Sequence, residues 1–600
     1  MHYGGGLGSD LEDMPEQTFN EPTEEPTHQP TEEDGEEFLP EPTHRYNLRK
    51  KNAGKWVRGK FIADFEQVGI HLSVNKALNK FGKKALREAY REIRQLNDKN
   101  VWTPVRRSSM SYKQLKGAIR SSMFFKEKYL STGEFEKLKA RLVAGGDKQD
   151  KSIYEDLSSP TAMTQSVYMV AAIAAKEGRH VVTCDIAGAY LNASLKEHDV
   201  YMKLDPTLTM ILSKIRPDYE SYADADGTMM VKLDKALYGC VESAKLWYDH
   251  LTDTLESNGY VRNKLDICVF NKYNSKGEQT TVVAHVDDLM ITSVSNSSIN
   301  ELLDMLTDKY KEISVTTGKI HSYLGQTFNY SKRGKCMVSM EGYVSDIIIT
   351  YEVTGKASSP ALETLFVVRI DAVKLSTADS IIFHSRVAKL LYLSKRARPD
   401  ILTAVIFLTT RVLDSDEDDQ SKLDRVLRYI NSTKDLFLTL ELSDTVQVVS
   451  YIDAAYGIHM EARSVTGSII TLGKGAFYAR SQKQKLVSKS STEAELIALT
   501  DESSQVLWTR NFLILQGYMP GPAIIYQDNM STMALVEKGR STSERTRHID
   551  IRYFFIKDRV SNGDLRLVHL PTAEMTADIL TKPLQGEAFK RHRSAILNLE

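Results

Sequence analysis

The sequence predicts an α+β fold with more than one domain, and three observations indicate this class. The chain has 600 residues, more than a single hydrophobic core supports, so about two to four domains are expected. Short apolar runs that end in carboxylates and are separated by turns predict strands and hairpins. Apolar residues at helical spacing predict helices among them.

Composition is that of an ordinary globular protein, with 42% hydrophobic and 26% charged residues. The sequence contains no apolar run of about 18 residues and no N-terminal signal-peptide pattern, so we expect the chain in the cytoplasm or the nucleus. The four cysteines are scattered without a C-x-x-C pair, which argues against a zinc site and against a disulfide framework. They are Cys184, Cys240, Cys268 and Cys336.

The N-terminal part is divided by charge. Residues 1–44 hold thirteen acids and no Lys or Arg among Pro-Thr units, a composition typical of disorder. Without these thirteen charges, the net charge of −1 becomes +12, which suits binding to a phosphate backbone. Arg45–Lys60 carries seven basic residues and no acid, and is either a nucleic-acid-binding or nuclear-targeting strip or a solvated linker. Helical spacing from Ala77 to Leu86 predicts one or two lead-in helices.

A first set of carboxylates is expected where predicted strands end. Val181–Asp185 is a short β-branched run ending in an acid, and Thr280–Thr292 has two apolar runs around Asp287 and Asp288, which fits a hairpin with the acids at its tip. Aspartates are also common in plain turns, so the pair alone does not establish a site. Together with Asp185, however, the pair could hold two Mg²⁺ ions about 3.5–4 Å apart.

Several motifs around these acids occur in a characteristic order. They are Lys139–Ala144, Asp185–Asn192, Val200–Met202, Leu237–Gly239, Leu246–Tyr248, His285–Asp288, Tyr323–Gly325 and Leu390–Asp400. In this order they resemble the copia-type retrotransposon reverse transcriptase family over nearly the whole predicted folded length. The resemblance implies a right-hand polymerase of fingers, palm and thumb, RNA-directed DNA synthesis, and metal binding by Asp185, Asp287 and Asp288.

The same resemblance implies the contacts of the incoming nucleotide. Tyr190 would be the aromatic residue that excludes a ribose 2′-hydroxyl, and its alternative role is packing in the palm. Lys139 and Arg141 would bind the triphosphate, or would face the template backbone instead. Gly239 belongs to the same nucleotide-binding set.

Two departures from the family pattern concern the palm. His285 stands where Tyr or Phe is commoner, and its role is left open. Cys240–Lys245 replaces the usual Leu-Lys-Gln-Ala-Pro-Arg and introduces an acid, Glu242, which leaves the details of template contact open.

A second set of carboxylates follows in the C-terminal part. Val446–Asp453, Val465–Leu472 and Ala476–Ser481 predict an antiparallel meander whose last two strands flank a turn at residues 473–475. Ala523–Asp528 predicts a further strand that ends in an acid, and Asp578 is expected where a helix begins.

Two glutamates near a predicted helix start receive different roles. Ser490 and Glu493 have the spacing of a capping box, which would occupy Glu493 with the helix start. Glu495 would then be free for chemistry.

Four acids follow one another in an order that resembles that of the ribonuclease H acids: Asp453, Glu495, Asp528 and Asp578. The short sequence motifs around Glu495, His548 and Asp578 are similar to those of the copia-type ribonuclease H. The resemblance implies two Mg²⁺ ions on these acids, and recognition of an RNA–DNA hybrid through its shape and 2′-hydroxyls.

The histidine that commonly precedes the last acid of ribonuclease H is absent, since Ala573 stands at its position. His548 and His569 are candidate substitutes, or structural residues. Asp550 is expected in a helix that follows Ser543, with a metal role as the alternative.

The predicted organisation has six parts. They are a disordered tail (1–44), a basic linker with lead-in helices (45–98), fingers and palm (99–345), thumb and connection (346–445), an α/β ribonuclease H-like domain (446–584) and a C-terminal tail (585–600). Gag, protease and integrase signatures are missing, so we expect the C-terminal part of a polyprotein or a truncated copy.

The expected partners are an RNA template, a DNA primer, an RNA–DNA hybrid and deoxynucleoside triphosphates, with a homodimer or the element's integrase as protein partners. A virus-like particle in the cytoplasm, with nuclear entry, is the expected location.

Two alternative functions stay open. One is a relic that binds nucleic acid without catalysis, and the other is a ribonuclease with an inactive polymerase.

Overall fold

The computed structural model describes residues 72–129, 135–154, 156–195, 198–538 and 550–599. The predictions for the acidic tail (1–44), for the basic strip (Arg45–Lys60) and for His548 lie outside these residues. The mixture of antiparallel sheets with helices confirms the α+β class.

The strands of the described part form four sheets. In chain order they are β1 (Leu72–Ser73), β2 (Trp102–Val105), β3 (Ile119–Tyr129), β4 (Phe135–Ala144), β5 (His180–Ile186), β6 (Val200–Leu204), β7 (Met229–Leu233), β8 (Val261–Arg262), β9 (Val269–Tyr273), β10 (Gln279–His285), β11 (Asp288–Ser293), β12 (Ile313–Thr317), β13 (Ile320–Tyr323), β14 (Gln326–Asn329), β15 (Lys335–Ser339), β16 (Leu438–Leu442), β17 (Val449–Ala455), β18 (Val465–Thr471), β19 (Gly473–Lys474), β20 (Tyr478–Lys483), β21 (Ala523–Gln527) and β22 (Leu565–His569).

The α-helices of the described part connect and cover these sheets. In chain order they are α1 (Val74–Phe81), α2 (Lys83–Asp98), α3 (Tyr112–Gly117), α4 (Thr164–Glu177), α5 (Pro206–Ile215), α6 (Ser243–Ser257), α7 (Asn296–Tyr310), α8 (Glu341–Thr350), α9 (Thr377–Ser394), α10 (Leu402–Thr409), α11 (Glu417–Ser432), α12 (Ser491–Leu515), α13 (Met530–Lys538), α14 (Asp550–Ser561) and α15 (Gly586–Leu597).

The first sheet, which we call the fingers sheet, has the order β1-β3-β6-β7-β2, with β4 paired to β3. The predicted lead-in helices are α1 and α2. Helix α2 buries Ala85, Ala89, Ile93 and Leu96, which recur every three or four positions and therefore lie along one face. These residues share an apolar cluster with Phe125 and Leu142 of the sheet.

The second sheet, which we call the palm sheet, has the order β12-β5-β11-β10-β9-β8. Strands β10 and β11 form the predicted hairpin, in which His285 pairs with Asp288. Helix α4 packs behind the sheet and is buried from Ser166 to Ala175, because the third sheet covers its other side.

The third sheet has the order β13-β14-β15-β16-β19, and its buried residues share one apolar cluster with residues of the palm sheet and of the fourth sheet. The prediction of a simple turn at residues 473–475 is wrong in part, because Gly473 and Lys474 form β19, which pairs with β16. The backbones approach closely there: a Cβ on Gly475, whose φ is +76°, would lie 2.0 Å from the Thr439 carbonyl oxygen. Only glycine fits that contact.

The fourth sheet has the order β20-β18-β17-β21-β22. Strands β17, β18 and β20 are the predicted antiparallel meander, whereas β21 and β22 continue parallel to β17. Strand β17 does not end at Asp453, as the sequence suggested, but continues to Ala455 because Ala454 and Ala455 pair with β18.

One apolar cluster extends from α4 behind the palm sheet, through the third sheet and helices α9 to α11, to the fourth sheet. The C-terminal tail forms helix α15, and its Phe589 and Ile596 are buried in the same cluster. All four cysteines are buried as free thiols. None of the helices in the described part has the length and apolar character needed to cross a bilayer.

Two candidate active sites

Strand pairing brings the three palm aspartates to one end of the palm sheet. Strand β11 lies antiparallel to β5, and in this register Asp288 is the direct partner of Asp185. Asp287 occupies the hairpin turn beside them, and its carbonyl oxygen accepts a hydrogen bond of 3.0 Å from the Ile186 N–H. Asp185 is exposed and the other two are half-buried, so all three can be reached from solvent.

The turn that carries Asp287 is held in a strained conformation. Val286 has a φ of +59°, a region that β-branched residues rarely adopt. The Trp247 indole, which is 1% exposed, donates a hydrogen bond of 2.7 Å to the Val286 carbonyl oxygen. In the sequence, Trp247 belongs to the motif Leu246–Tyr248, and this motif does not predict its support of the aspartate turn.

An aromatic and cationic stack lies next to these acids. The rings of Tyr190 and Tyr238 have centroids 4.7 Å apart, and the Arg141 guanidinium carbon lies 4.2 Å from the centroid of the Tyr238 ring. Burial lowers the pKa of Arg141, but Tyr238, Glu92 and Asp287 more than offset this, so the pKa is raised and the cation is stable. The stack thus places a fixed positive charge in the field of Asp287.

Lys139 and Arg141 lie on the same face of strand β4. Their neighbours Leu138, Ala140 and Leu142 point into the core, so the two cations face away from it. Lys139 is exposed, whereas Arg141 is half-buried. The strand therefore presents both cations on the face opposite its buried apolar residues.

Gly239 is a point of close backbone contact between the fingers sheet and the turn before α6. Its φ is +93°, and a Cβ at this position would lie 2.2 Å from the carbonyl oxygen of Ala144 at the end of β4. The adjacent Tyr238 carbonyl accepts a hydrogen bond of 2.7 Å from the Ala144 N–H. The sequence placed Gly239 in the nucleotide-binding set, and the contact observed for it is this packing.

Glu242, the acid that departs from the family pattern, is directed into the protein. It is 5% exposed and accepts hydrogen bonds from Gln149 Nε2 at 3.0 Å and from the Tyr154 hydroxyl at 2.9 Å. Its carboxylate is therefore bound internally and is not exposed on the protein surface. His285, the other departure, is half-buried at the end of β10.

Three carboxylates of the fourth sheet form a compact cluster. Asp453 on β17, Glu495 on α12 and Asp528, directly after β21, each offer an oxygen within 4.8 Å of the others. Among the described residues, this is the one group of at least three potential ligands that is so compact. Asp453 is 2% exposed and Glu495 5%, while Asp528 is half-buried.

Burial and mutual repulsion raise the pKa values of two carboxylates in this cluster. Burial raises the pKa of Asp453 to about 6, and the neighbouring Asp578 and Asp528 add to the shift. The pKa of Glu495 is raised well above its ordinary value by burial, by Asp453 and by Asp528. Buried carboxylates that repel each other in this way are arranged as a divalent cation would require.

Asp578 lies beside the cluster, in the first turn of a short 3₁₀-helix (Thr576–Leu580), where the sequence predicted the beginning of a helix. Lys582, four residues later, contacts Asp578 with Nζ 2.6 Å from Oδ1. The hydroxyl of Thr581 donates to Asp453, and that of Thr572 donates to Asp528 at 2.8 Å. The sequence predicted none of these three contacts.

The predicted division between Glu493 and Glu495 agrees with the helix start. The Ser490 hydroxyl accepts a hydrogen bond of 3.2 Å from the Glu493 N–H, and the Glu493 carboxylate accepts one of 2.7 Å from the Lys489 N–H. Glu495, by contrast, accepts a hydrogen bond of 3.3 Å from the Gln527 side chain within the cluster.

Four candidate residues of this region remain, and three of them lie in the part of the chain that the structure describes. His569 ends β22 and is exposed, and Ala573 lies in an exposed 3₁₀-turn. Asp550 is the first residue of α14. His548 lies outside the described residues.

Comparison with known proteins finds a reverse transcriptase family model and transposon Pol polyproteins similar to this chain. Residues 100–362 match the family model described as reverse transcriptase (RNA-dependent DNA polymerase). The chain is 31% identical over 478 residues to the retrovirus-related Pol polyprotein from transposon RE1 of Arabidopsis thaliana, covering 79% of this chain and 31% of that protein. It is 26% identical over 484 residues to the corresponding polyprotein from transposon TNT 1-94 of Nicotiana tabacum, covering 79% and 35%.

The chain therefore spans about a third of the length of these curated relatives. A solved structure of a foamy viral protease-reverse transcriptase in complex with double-stranded DNA is also similar, with a TM-score of 0.41 and 10% identity. That match covers 80% of this chain and 69% of the viral one.

Proposed function

We propose that this chain copies RNA into DNA at Asp185, Asp287 and Asp288, because residues 100–362 match the reverse transcriptase family model and the chain is similar to transposon Pol polyproteins. We further propose that it degrades the RNA strand of the resulting hybrid at Asp453, Glu495, Asp528 and Asp578. The observation that carries the first proposal is the pairing of Asp288 with Asp185 across two strands, with Asp287 in the adjoining turn.

The donor set of the palm suits Mg²⁺, which prefers carboxylate oxygens and retains positions for phosphates. When bound there, Mg²⁺ would supply a lowered pKa for the primer 3′-hydroxyl and neutralise charge on the pyrophosphate leaving group. The chain's own contribution is to hold the three carboxylates at one end of a rigid sheet. The Trp247 hydrogen bond to Val286 supports the turn that carries Asp287.

The stack beside the palm acids suits an incoming deoxynucleoside triphosphate. Arg141 carries a positive charge that complements phosphate oxygens, and Lys139 lies on the same strand face. Tyr190, held against Tyr238, would occupy the space that a ribose 2′-hydroxyl needs. Packing in the palm is the competing role for Tyr190.

The second proposal rests on the compact carboxylate cluster of the fourth sheet. Three acids with oxygens within 4.8 Å of one another, and Asp578 beside them, suit Mg²⁺ that would activate a water and stabilise the departing 3′ oxygen. The substrate class would be an RNA–DNA hybrid, recognised through its backbone and 2′-hydroxyls.

Primer extension tests the polymerase proposal. The wild-type protein should extend a DNA primer on an RNA template with Mg²⁺, and Asp287→Asn should lower the rate by several orders of magnitude, because charge stabilisation by bound metal is the main catalytic contribution. Asp253→Asn, which changes an exposed acid on α6, is the matched control and should leave extension unchanged. Binding of template and primer without extension by the wild-type protein would instead support a non-catalytic relic.

A further inference from the structure

Lys582 extends its ammonium group into the carboxylate cluster of the fourth sheet. Its Nζ lies 2.6 Å from Asp578 Oδ1 and 3.6 Å from Asp453 Oδ2. The two acids are largely buried, since their side chains are 2% (Asp453) and 11% (Asp578) exposed. A single ammonium group therefore bridges two of the four acids.

The Lys582 ammonium group partly neutralises the negative charge of the carboxylate cluster. Asp453, Glu495, Asp528 and Asp578 together carry up to four negative charges in a small and largely dry volume. Within the described residues, Lys582 is the one Lys or Arg side chain that forms an ion pair with any of them. Repulsion between charges in such surroundings is much stronger than in water.

A divalent cation bound to Asp453 and Asp578 would lie next to the ammonium group, because Lys582 contacts one carboxylate oxygen of each. The ammonium group and the cation would then repel each other at short range. Lys582 also borders a cavity of about 530 Å³ whose walls include Phe366, His459 and Met460. A long, flexible lysine side chain can move its ammonium group into such an open space without a change of the backbone.

We propose that Lys582 is a built-in counter-ion of the ribonuclease site, which competes with divalent metal for Asp453 and Asp578 and thereby sets the metal affinity. This role rests on the metal-dependent function proposed for the cluster. Lys582 is a positioning residue: it holds two acids together when metal is scarce, and it moves towards the cavity when metal binds.

Isothermal titration with Mg²⁺ tests the competition directly. The titration uses the full chain carrying Asp287→Asn, so that binding at the palm is weakened equally in every sample. Lys582→Met should tighten Mg²⁺ binding about tenfold or more, because one charge at this distance shifts a carboxylate equilibrium by about one to three pKa units. Unchanged or weaker binding would overturn the proposal.

Two control variants separate charge from shape. Lys582→Arg keeps the positive charge and should keep an affinity close to that of the parent protein. If it tightens binding as much as Lys582→Met, the effect is steric and the proposal fails. Lys590→Met removes a lysine from an exposed pair with Glu587 and should change nothing.

Lysine acylation of the unmutated protein provides a test that does not depend on folding of a variant. The Lys582 amine should react slowly in EDTA and clearly faster with Mg²⁺, while the exposed Lys590 should react equally in both, as measured by peptide mass spectrometry. Equal reactivity of Lys582 in both conditions would contradict the proposal.

Cleavage of an RNA–DNA hybrid is measured separately, because it tests the ribonuclease proposal. If cleavage is absent while Mg²⁺ binding and acylation are as expected, the ribonuclease proposal fails and the counter-ion role of Lys582 remains.

Discussion

Tyr190 is the palm residue for which two roles compete. Its ring is half-buried and lies 4.7 Å from the Tyr238 ring, with the Arg141 guanidinium on the same Tyr238 side chain. A side chain in this position is held firmly enough to discriminate between sugars by shape, and the same contacts would serve packing alone.

Substitution of Tyr190 separates the two roles. Tyr190→Ala should raise incorporation of ribonucleotides relative to deoxynucleotides severalfold, because it opens space for the 2′-hydroxyl, and should lower the overall rate much less than Asp287→Asn does. Tyr190→Phe keeps the ring and should keep the preference for deoxynucleotides. Single-nucleotide extension with matched ribo- and deoxynucleotides measures the ratio, and an unchanged ratio in Tyr190→Ala would assign Tyr190 to packing.

For single residues, the sequence could predict the contacts that depend on local spacing along the chain. The hydrogen bond from the Glu493 N–H to the Ser490 hydroxyl follows from a spacing of three residues at a helix start, and it is confirmed. The Glu493 carboxylate accepts from the Lys489 N–H, one residue before the N–H that a complete capping box uses. The contacts of Trp247 and Lys582 were not predictable. Trp247 meets Val286 across 39 positions of sequence, and Lys582 meets Asp453 only because strand β17 passes beside the 3₁₀-helix.

Among the elements, the end of strand β4 and the turn at Gly239 form the contact on which the stack of Tyr190, Tyr238 and Arg141 depends. The backbones of Ala144 and Gly239 leave no room for a Cβ, and Tyr238, the neighbour of Gly239, carries the ring that meets both Arg141 and Tyr190. A shift of this turn would displace the whole stack.

Gly239→Ala tests this dependence. The added Cβ would lie 2.2 Å from the Ala144 carbonyl oxygen, so the turn must move. DNA synthesis should fall by about a hundredfold, since a displacement of about 1 Å near reacting groups has effects of that size. RNA cleavage at the distant cluster should persist.

Gly277→Ala is the matched control for backbone conformation. Gly277 also has a positive φ, +76°, but nothing lies within 4 Å of its added Cβ. The left-handed backbone then costs only about 1–2 kcal/mol of stability, and extension should stay close to wild type. If both variants lose synthesis equally, the close contact at Ala144 is not the cause.

Elements with a clear pattern of apolar residues were predictable from the sequence. Elements that form only by pairing with a segment far away in the sequence were not. The β10–β11 hairpin and the β17–β18–β20 meander follow from apolar runs and turns, and both are confirmed. Strand β19 has only two residues and exists because β16, some thirty positions earlier, lies against it. The parallel pairing of β21 and β22 with the meander likewise depends on helices that return the chain.

For the molecule as a whole, the two candidate sites lie on different sheets that share one apolar core. The segment that follows helix α12 also contacts the palm region, since Gln279 Nε2 on β10 donates a hydrogen bond of 3.3 Å to the Gln516 carbonyl oxygen, and the Tyr518 hydroxyl donates to Glu177 at the end of α4. No described residue belongs to both sets of acids. The α+β class and the two sets of acids were predictable from motifs, but the packing that joins them was not.

The central claim is that this chain carries two separate active sites, and one paired assay tests it most directly. Primer extension and cleavage of a labelled RNA–DNA hybrid are measured with Mg²⁺ for the wild type, Asp287→Asn, Glu495→Gln and Glu493→Gln. Asp287→Asn should abolish extension only, and Glu495→Gln should abolish cleavage only. Glu493→Gln alters a helix start, at a cost of about 0.5–2 kcal/mol or less, so both activities should survive. Loss of both activities in either Asp287→Asn or Glu495→Gln would contradict separate sites, and loss of cleavage in Glu493→Gln but not in Glu495→Gln would reverse the assignment of the two glutamates.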